Sequence, residues 1–470
     1  MSNHTLGVII GNRDFFPDSL VTEARQDILK VFDDLNITSV MLDESDTKLG
    51  GVETYNDAKK CADLFKRHQD DINGILVVLP NFGDERGILD TIRLSGLDVP
   101  ILVQAYPDEL DRLDVVRRRD AYCGKISVCN NLNQIGRKFS LTTSHVVHPG
   151  DEQFRKDLLN FMAVCRVVNG LRSARLGAVG ARPGAFNTVR YSEKLLEAHG
   201  ISVTTVDLSQ ILGRAEKLNG ENGQVKEHLK KIQSYAEYRN VPEEKLLKMA
   251  SLNVVLTEFI EENQLDATAI QCWDSLQENY GVNVCTSMSM MSEQLLPSAC
   301  EVDVTGALTM YALQLASGTP SALADWNNNY GEQENKVVMF HCGNWAKAFA
   351  PDLEISTAPI LGTSLGEENT YGAMEGRTPA HQLTFGRIST DDQRGVIRTY
   401  VGEGTLTNDE LNTFGTRAVA EIPNLNELVH FICKHGFEHH VAMNLATTAD
   451  ILREAFQNYL GWEVHYHNHQ

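Results

Sequence analysis

The 470-residue sequence lacks any apolar run approaching the roughly 20 residues that cross a bilayer. Its first residues also lack the basic segment and the long apolar segment of a signal peptide. The nine cysteines are an odd number and none lies in a C-x-x-C motif, so neither a zinc motif nor a dithiol redox motif is indicated. We therefore expect free thiols in a cytoplasmic protein.

Positive charge is scarce: 42 Lys and Arg residues face 63 Asp and Glu, for a net charge of −21. Nucleic acids and anionic membranes both require a basic surface, so the charge balance argues against these partners. A small molecule such as a sugar is not excluded. The chain is also longer than one hydrophobic core usually serves, and two or three domains are expected.

The fold class predicted is α/β, with two doubly wound parallel-sheet α/β domains followed by a β-rich C-terminal domain. Residues 1–170 alternate apolar runs with amphipathic segments, the pattern of parallel strands and covering helices. Residues 171–326 repeat this pattern, and residues 327–470 carry short β segments and a closing helix at Thr447–Leu460. The less regular strand predictions are Ser144–Val147 in the first domain and Thr357–Leu361 in the third.

Glu301 is the most informative acidic residue. The segment CEVDVTGALTMYALQLA (300–316) predicts a helix with one buried stripe, and Glu301 projects along that stripe in the first turn. A carboxylate on an apolar face needs a partner, and a metal ion leaves it ionised. The alternative is an interaction with the helix dipole alone. Asp303 lies off the stripe and is expected to be an exposed first-turn residue.

Asp325 lies 24 positions after Glu301, in a turn-rich segment where a turn aspartate is the simpler interpretation. His341 ends the apolar strand VVMFH, a position that is more often structural. His439 and His440 are adjacent, so on a regular backbone their side chains point in different directions and at most one should bind a given ion. The histidines of the terminal HYHNH segment (465–469) are expected to lie in a frayed tail.

The segment ACEVDVTGALTMYALQLASGTPSALADWNN (299–328) resembles the metal-binding region of the L-fucose isomerase and L-arabinose isomerase superfamily. The resemblance implies that Glu301 and Asp325 are metal ligands and the pair that transfers protons. It also implies that His440 is a ligand, although the sequence does not separate His440 from His439. His341 would be a further ligand or a close neighbour of the ion.

Two N-terminal segments, IIGNRDFFPDSL (9–20) and YCGKISVCNNL (122–132), resemble the same superfamily. There the residue at Arg13 contacts the sugar, and arginine is typical of the fucose branch. The resemblance implies a homo-oligomer, with a hexamer favoured, in which the N-terminal domain of one subunit reaches the site of a neighbour. Arg13 would then serve an adjacent subunit.

Five further side chains are candidate sugar contacts. Arg182 lies in the loop GARPGAFNT after a strand, where it could bind an anion or hydroxyl groups; a salt bridge to an acidic neighbour is the alternative. Trp273 follows another strand and offers an apolar face to C–H groups. Trp326 and Asn344 flank the proposed ligands, although core packing also explains the tryptophan. His439 completes the predicted set.

The resemblance therefore implies a metal-dependent aldose–ketose isomerase that works through an enediol held by the metal ion. Mn²⁺ is the expected cofactor, because carboxylate and imidazole ligands suit it. An L-fucose or D-arabinose type sugar is the first choice of substrate. The alternatives are L-arabinose, an anionic 6-sulfo hexose such as sulfoquinovose, or a non-catalytic cytoplasmic sugar-binding protein; a metal-dependent hydrolase or aldolase is disfavoured by the two carboxylates.

Overall fold

The structure is a computed structural model and describes residues 4–467. It divides into two compact units, each described here by itself. The first unit takes in the described residues up to Asn169 together with Glu454–Gly461, and the second takes in Gly170–Arg453 together with the described residues from Trp462. Within the described residues, no helix is both long and apolar enough to span a membrane.

The first unit is built on a five-stranded parallel sheet in the order β2-β1-β3-β4-β5. Strand β3 (GILVVL) is buried throughout, as expected for a parallel strand covered on both faces. The strands are β1 (His4–Ile10), β2 (Ile37–Val40), β3 (Gly74–Leu79), β4 (Ile101–Ala105) and β5 (Ser140–Leu141). The helices are α1 (Ser19–Leu35), α2 (Tyr55–Arg67), α3 (Glu85–Ser95), α4 (Ala121–Gln134) and α5 (Glu152–Leu171).

The second unit opens with a four-stranded parallel sheet in the order β7-β6-β8-β9. Its strands are β6 (Arg175–Val179), β7 (Ser202–Val206), β8 (Ala267–Ile270) and β9 (Ser298–Cys300). Its helices are α6 (Glu193–Ala198), α7 (Leu208–Ala215), α8 (Gly223–Tyr235), α9 (Glu243–Asn263), α10 (Ser275–Asn279), α11 (Cys285–Glu293) and α12 (Val304–Ser317). The side chains of α12 are almost all buried, so this helix lies inside the unit.

The rest of the second unit is a nine-stranded mixed sheet in the order β12-β13-β16-β11-β10-β17-β14-β15-β18. Its strands are β10 (Ser321–Asn329), β11 (Lys336–His341), β12 (Glu354–Ser356), β13 (Ala373–Arg377), β14 (His381–Asp391), β15 (Val396–Thr407), β16 (Thr416–Glu421), β17 (His440–Asn444) and β18 (Glu463–His467). Its helices are α13 (Pro359–Leu365), α14 (Leu425–His435) and α15 (Ala449–Arg453). Because β15 also pairs with β16, six of these strands form a closed ring of hydrogen-bonded neighbours.

The predicted fold class is confirmed: two parallel α/β sheets precede a large β-rich sheet. The boundaries proposed at residues 170 and 326 stay a prediction, because the central sheet and the β-rich sheet both belong to the second unit.

Several local predictions are wrong. The fifth strand is β5 rather than Ser144–Val147, and Thr357–Leu361 overlaps a helix, α13, that begins at a proline. The single closing helix is α15 followed by a π-helical stretch over Glu454–Tyr459. Residues 465–467 are part of strand β18, with His465 stacked on Phe431, rather than a frayed tail. The remainder of that tail lies outside the described residues.

Candidate active site

The candidate site lies at the carboxyl ends of the second unit's parallel strands. In such sheets ligands bind where the strand order reverses, which here is between β6 and β8. Arg182 follows β6, Trp273 follows β8 and Glu301 follows β9 directly. The backbone N–H of Ala181 donates to Oε1 of Gln271 at 2.9 Å, which ties the first two of these loops together.

Glu301 lies in the turn between β9 and α12, not in the first turn of the helix as predicted. Both Glu301 (φ 59°) and Val302 (φ 53°) adopt left-handed backbone conformations. For side chains with a Cβ, such conformations cost on the order of 1–3 kcal/mol each and concentrate at functional sites. The turn keeps the Glu301 side chain buried, at 6% relative exposure.

Asp303 is fully buried rather than exposed, so this prediction is wrong. It is the N-cap of α12 and accepts a hydrogen bond from the backbone N–H of Gly306 at 2.9 Å. A Cβ at Gly306 would lie 2.4 Å from the Asp303 carboxylate, so only glycine fits there. Arg387 on β14 donates two hydrogen bonds to Asp303, at 2.6 and 2.8 Å, and its Nε lies 3.3 Å from Glu438. The whole group is buried.

Asp325 lies in strand β10, so its assignment to a turn is wrong. It is paired directly with His440 of β17, and residues paired across antiparallel strands share a face of the sheet. His341 ends the neighbouring strand β11, as predicted. Three of the four predicted ligands therefore come from adjacent strands of the closed ring, and the fourth, Glu301, comes from the turn after β9.

His440 is at the centre of these acidic side chains. Its Nε2 lies 2.9 Å from Glu301 Oε2 and 3.4 Å from Asp325 Oδ1, and its Nδ1 lies 2.8 Å from Asp303 Oδ2. A carboxylate that accepts a hydrogen bond from one ring nitrogen of a histidine fixes the orientation and the tautomer of the ring. With Nδ1–H donating to Asp303, the Nε2 lone pair faces Glu301 and Asp325.

His439 approaches the same carboxylate, its Nε2 lying 3.5 Å from Asp325 Oδ1. The two adjacent rings are 4.4 Å apart, so the expectation that they face different directions is wrong. The two histidines differ in burial, since His440 is enclosed and His439 is exposed. His440 is buried and its Nδ1 is hydrogen-bonded to Asp303, so it is the better ligand of the two.

The ring nitrogens of His341 have different hydrogen-bond partners from those of His440. The backbone N–H of Cys342 donates to its Nδ1 at 3.0 Å, which places the proton of the neutral ring on Nε2. That Nε2 is buried without a hydrogen-bond partner among the described residues and lies with Glu301 and His440 in one cluster. In this tautomer His341 is a hydrogen-bond donor toward the site.

The donor set fits a divalent ion. Oε2 of Glu301 and Oδ1 of Asp325 are both buried without a hydrogen-bond partner in the described part of the chain. Together with His440 Nε2 they offer two carboxylates and an imidazole, a set that suits Mn²⁺ or a similar ion. Ligand atoms of Glu301, His341 and His440, and likewise those of Asp325, His439 and His440, lie within 4.8 Å of one another.

The pKa values of Glu301 and Asp303 favour the ionised form. Burial would raise the pKa of Glu301, but the nearby His440 and His341 outweigh it, and the pKa lies below its usual value. Burial opposes ionisation of Asp303 in the same way, and the charge of Arg387 with the hydrogen bond to His440 holds its pKa far below normal. Both side chains are therefore anions at neutral pH.

Ion binding to the metal-free protein is expected to release about one proton. Burial lowers the pKa of His440, but its contacts with Asp303 and Glu301 raise the pKa to about 10, so the ring is protonated at pH 7.5. A ligand nitrogen must be neutral, so affinity should rise with pH up to about pH 10. Calorimetry of Mn²⁺ binding in buffers of different ionisation enthalpy measures the proton count. No release from the wild type, or undiminished release from His440→Asn, would contradict the assignment.

Phe186 was missed by the sequence analysis. Its ring lies 5.3 Å from that of Trp273, 5.7 Å from His439 and 6.3 Å from His440, so the loop after β6 covers the site with an aromatic side chain. The Trp273 indole donates to Glu301 Oε1 at 3.1 Å. Arg387 and Glu438 were also missed, because nothing in the local sequence marks them as partners of Asp303.

Three other predicted sugar contacts, Arg182, Asn344 and Trp326, have different surroundings. Arg182 donates to Pro183 O at 3.2 Å and to Asn187 Oδ1 at 3.3 Å, and no salt bridge joins it to a carboxylate of residues 4–467. Asn344 is buried and its Oδ1 has no hydrogen-bond partner in that range. Trp326 points away from Asp325, donates to Tyr400 and packs on the core, which supports the packing alternative.

Arg13 lies in the first unit, in the loop after β1. Its Nε donates to Gly83 O at 3.0 Å, in the loop after β3, and its guanidinium lies 4.0 Å from the ring centre of Phe82. The strand order of that sheet reverses between β1 and β3, so Arg13 lies where open α/β sheets bind ligands.

The comparisons with known proteins agree with this architecture. Residues 7–172 match the family described as Fucose/sulfoquinovose isomerase, N-terminal domain, and residues 339–468 match L-fucose isomerase, C-terminal domain. The chain belongs to the fucose isomerase superfamily.

Two proteins named sulfoquinovose isomerase have sequences similar to this chain. A sulfoquinovose isomerase from Priestia aryabhattai is 27% identical over 302 residues, which is 63% of this chain and 65% of that protein. Another from Clostridium sp. (strain MSTE9) is 25% identical over 317 residues, 65% of this chain and 69% of that protein. The alignment with the first relative thus spans just under two thirds of its length.

Proposed function

We propose that this chain is a metal-dependent aldose–ketose isomerase acting on sulfoquinovose or a closely similar anionic sugar. The observation that carries the proposal is the convergence of Glu301 Oε2, Asp325 Oδ1 and His440 Nε2, two of them buried without a hydrogen-bond partner among the described residues. The family membership supports the reaction class. The sulfoquinovose isomerases among the relatives favour that sugar over the L-fucose or D-arabinose expected from Arg13.

Glu301, Asp325 and His440 would hold the ion, which when bound supplies Lewis-acid polarisation of the carbonyl and stabilises the charge that develops on the sugar oxygens. His440 is held in the ligand tautomer by Asp303. His341 Nε2–H is available to donate to a sugar oxygen.

Conversion of an aldose to a ketose moves one proton from C2 to C1 and another from O2 to O1. Glu301 is the more buried carboxylate and is oriented by the Trp273 indole, so we assign the carbon-bound proton to Glu301. Asp325 is more exposed and lies beside His439, so we assign the hydroxyl proton to Asp325. Partial burial and the neighbouring His440 lower the pKa of His439, which favours the neutral ring that can accept a proton.

Proton NMR in D₂O tests the function. Metal-stripped protein is incubated with sulfoquinovose, L-fucose, D-arabinose and L-arabinose, before and after Mn²⁺ is added. We expect sulfoquinovose to be converted to its ketose only with the ion, with deuterium gained from solvent. Best conversion of a neutral sugar would overturn the substrate assignment. No conversion of any of them with Mn²⁺ bound would favour the sugar-binding alternative.

Arg182 is the proposed contact for the sulfonate. It lies in the same loop as Phe186 and is paired only with neutral oxygens among the described residues. Hydrogen bonds to a charged group contribute about 1.5–3 kcal/mol, so Arg182→Met should raise KM for sulfoquinovose by about 10–100-fold with a smaller change in kcat. Arg190→Met is the matched control, because Arg190 donates to the same Asn187 oxygen but is exposed. Equal KM values in both variants would contradict the assignment.

We also propose that the protein is a closed homo-oligomer, with a hexamer favoured, in which Arg13 serves the site of a neighbouring subunit. Its place at the strand-order reversal of the first sheet supports a ligand role. Sedimentation of the active protein is expected to show an oligomer, and Arg13→Met should lower activity without changing its size. A fully active monomer would contradict the proposal.

A further inference from the structure

Four cysteines converge in the core of the second unit although they are far apart in the sequence. Cys272 lies just after β8, Cys285 begins α11, Cys300 ends β9 and Cys342 follows β11. The sulfur atoms of Cys285, Cys300 and Cys342 all lie within 4.8 Å of one another. The Cys272 thiol lies close enough to those of Cys300 and Cys342 for both to influence its pKa.

The surroundings of these thiols are apolar. Cys272 and Cys300 belong to a buried cluster that includes Met249, Met288 and Met374, and Cys342 packs against it. Thiols are weak hydrogen-bond donors and acceptors, so clustering four of them contributes little to stability by itself. As thiolates, they are ligands for a soft metal ion.

The distances between the sulfur atoms suit such an ion. A tetrahedral zinc ion binds thiolate sulfurs at about 2.3 Å, which places the sulfurs about 3.8 Å apart. This distance is within the 4.8 Å that bounds the separations of the Cys285, Cys300 and Cys342 sulfurs. Cys285 lies at the N-terminus of α11, where the helix dipole favours the negative charge of a thiolate.

We propose that Cys272, Cys285, Cys300 and Cys342 form a closed four-thiolate site for one zinc-type ion, separate from the carboxylate and imidazole site. Cys300 directly precedes Glu301 and Cys342 directly follows His341. An ion bound to these sulfurs would therefore fix the two segments that carry those side chains. The proposal is independent of the isomerase activity.

Cobalt spectroscopy of the reduced, metal-stripped full-length chain tests this site. Oxygen and nitrogen ligands give no sulfur-to-cobalt charge transfer, so Co²⁺ in the thiolate site is distinguishable from Co²⁺ elsewhere. We expect charge-transfer bands and tetrahedral d–d bands that saturate at about one ion per chain and vanish when Zn²⁺ is added. Glu301→Gln should keep these bands.

Cys285→Ser should abolish the bands or shift them strongly, because one sulfur is replaced. The control is Cys61→Ser, which removes a buried thiol of the first unit and should leave the bands unchanged. If Cys285→Ser does not fold, the zinc content of the purified wild type and the protection of four thiols from alkylation by added Zn²⁺ replace it. Absence of charge transfer with fully reduced thiols, or a Cys300–Cys342 disulfide in the freshly purified chain, would overturn the proposal.

Discussion

Replacing Glu301 by glutamine is expected to lower kcat by about 10³–10⁴-fold, which is the upper range for a positioned acid or base. Glutamine has nearly the same shape, so the fold should be retained. What is lost is the ability to accept a proton. The carbonyl oxygen of glutamine can remain a weaker ligand, so loss of activity should exceed loss of ion binding.

The measurement is steady-state kinetics at saturating Mn²⁺, with metal content determined on the same samples. Glu421→Gln is a suitable control, because Glu421 lies at the exposed end of β16 in the same unit. A Glu301→Gln variant with bound ion and near wild-type kcat would remove Glu301 from the reaction. A variant that has lost both the ion and activity would leave Glu301 a ligand only.

Asp303→Asn is expected to cost about 3–5 kcal/mol of the free energy of unfolding, because it leaves the buried Arg387 without a full counter-charge. Asp303 also holds His440 Nδ1 at 2.8 Å, so the affinity for Mn²⁺ should fall by about 10–100-fold. Urea unfolding of metal-free protein measures the first effect, and calorimetry measures the second.

The control for this variant is Asp114→Asn. Asp114 forms a salt bridge with Arg117 at 2.5 Å, but both side chains are about half exposed, so no measurable change in stability is expected. If Asp303→Asn unfolds like the wild type, the buried pair does not hold the helix start in place.

The alternation of strands and helices was predictable because each parallel strand is a short continuous apolar run. β3 (Gly74–Leu79) is buried along its whole length, and β6 (Arg175–Val179) is buried at every residue after the first. The closure of the β-rich sheet was not predictable. It depends on β15 pairing with both β14 and β16, and the local sequence of a strand does not specify its partners.

The candidate site, like the fold, was predicted only in part from the sequence. Glu301, Asp325 and His440 were predicted as ligands from the resemblance to the isomerase superfamily, and the structure brings them together. Asp303 was assigned to the surface because helical periodicity was extended one turn too far toward the N-terminus. The helix begins only at Val304, and its N-cap aspartate faces a buried arginine 84 residues later in the chain.

The pairing of Asp325 with His440 inside a closed ring has a consequence for how this protein can vary. A one-residue insertion in β10 or β17 would turn every following side chain to the other face unless a β-bulge absorbed it, and β10 already has a register shift after Asp325, between Trp326 and Asn328. An insertion that no bulge absorbs would therefore separate Asp325 from His440. The loop that carries Phe186 lies outside the ring, so its length is not tied to the register of these strands.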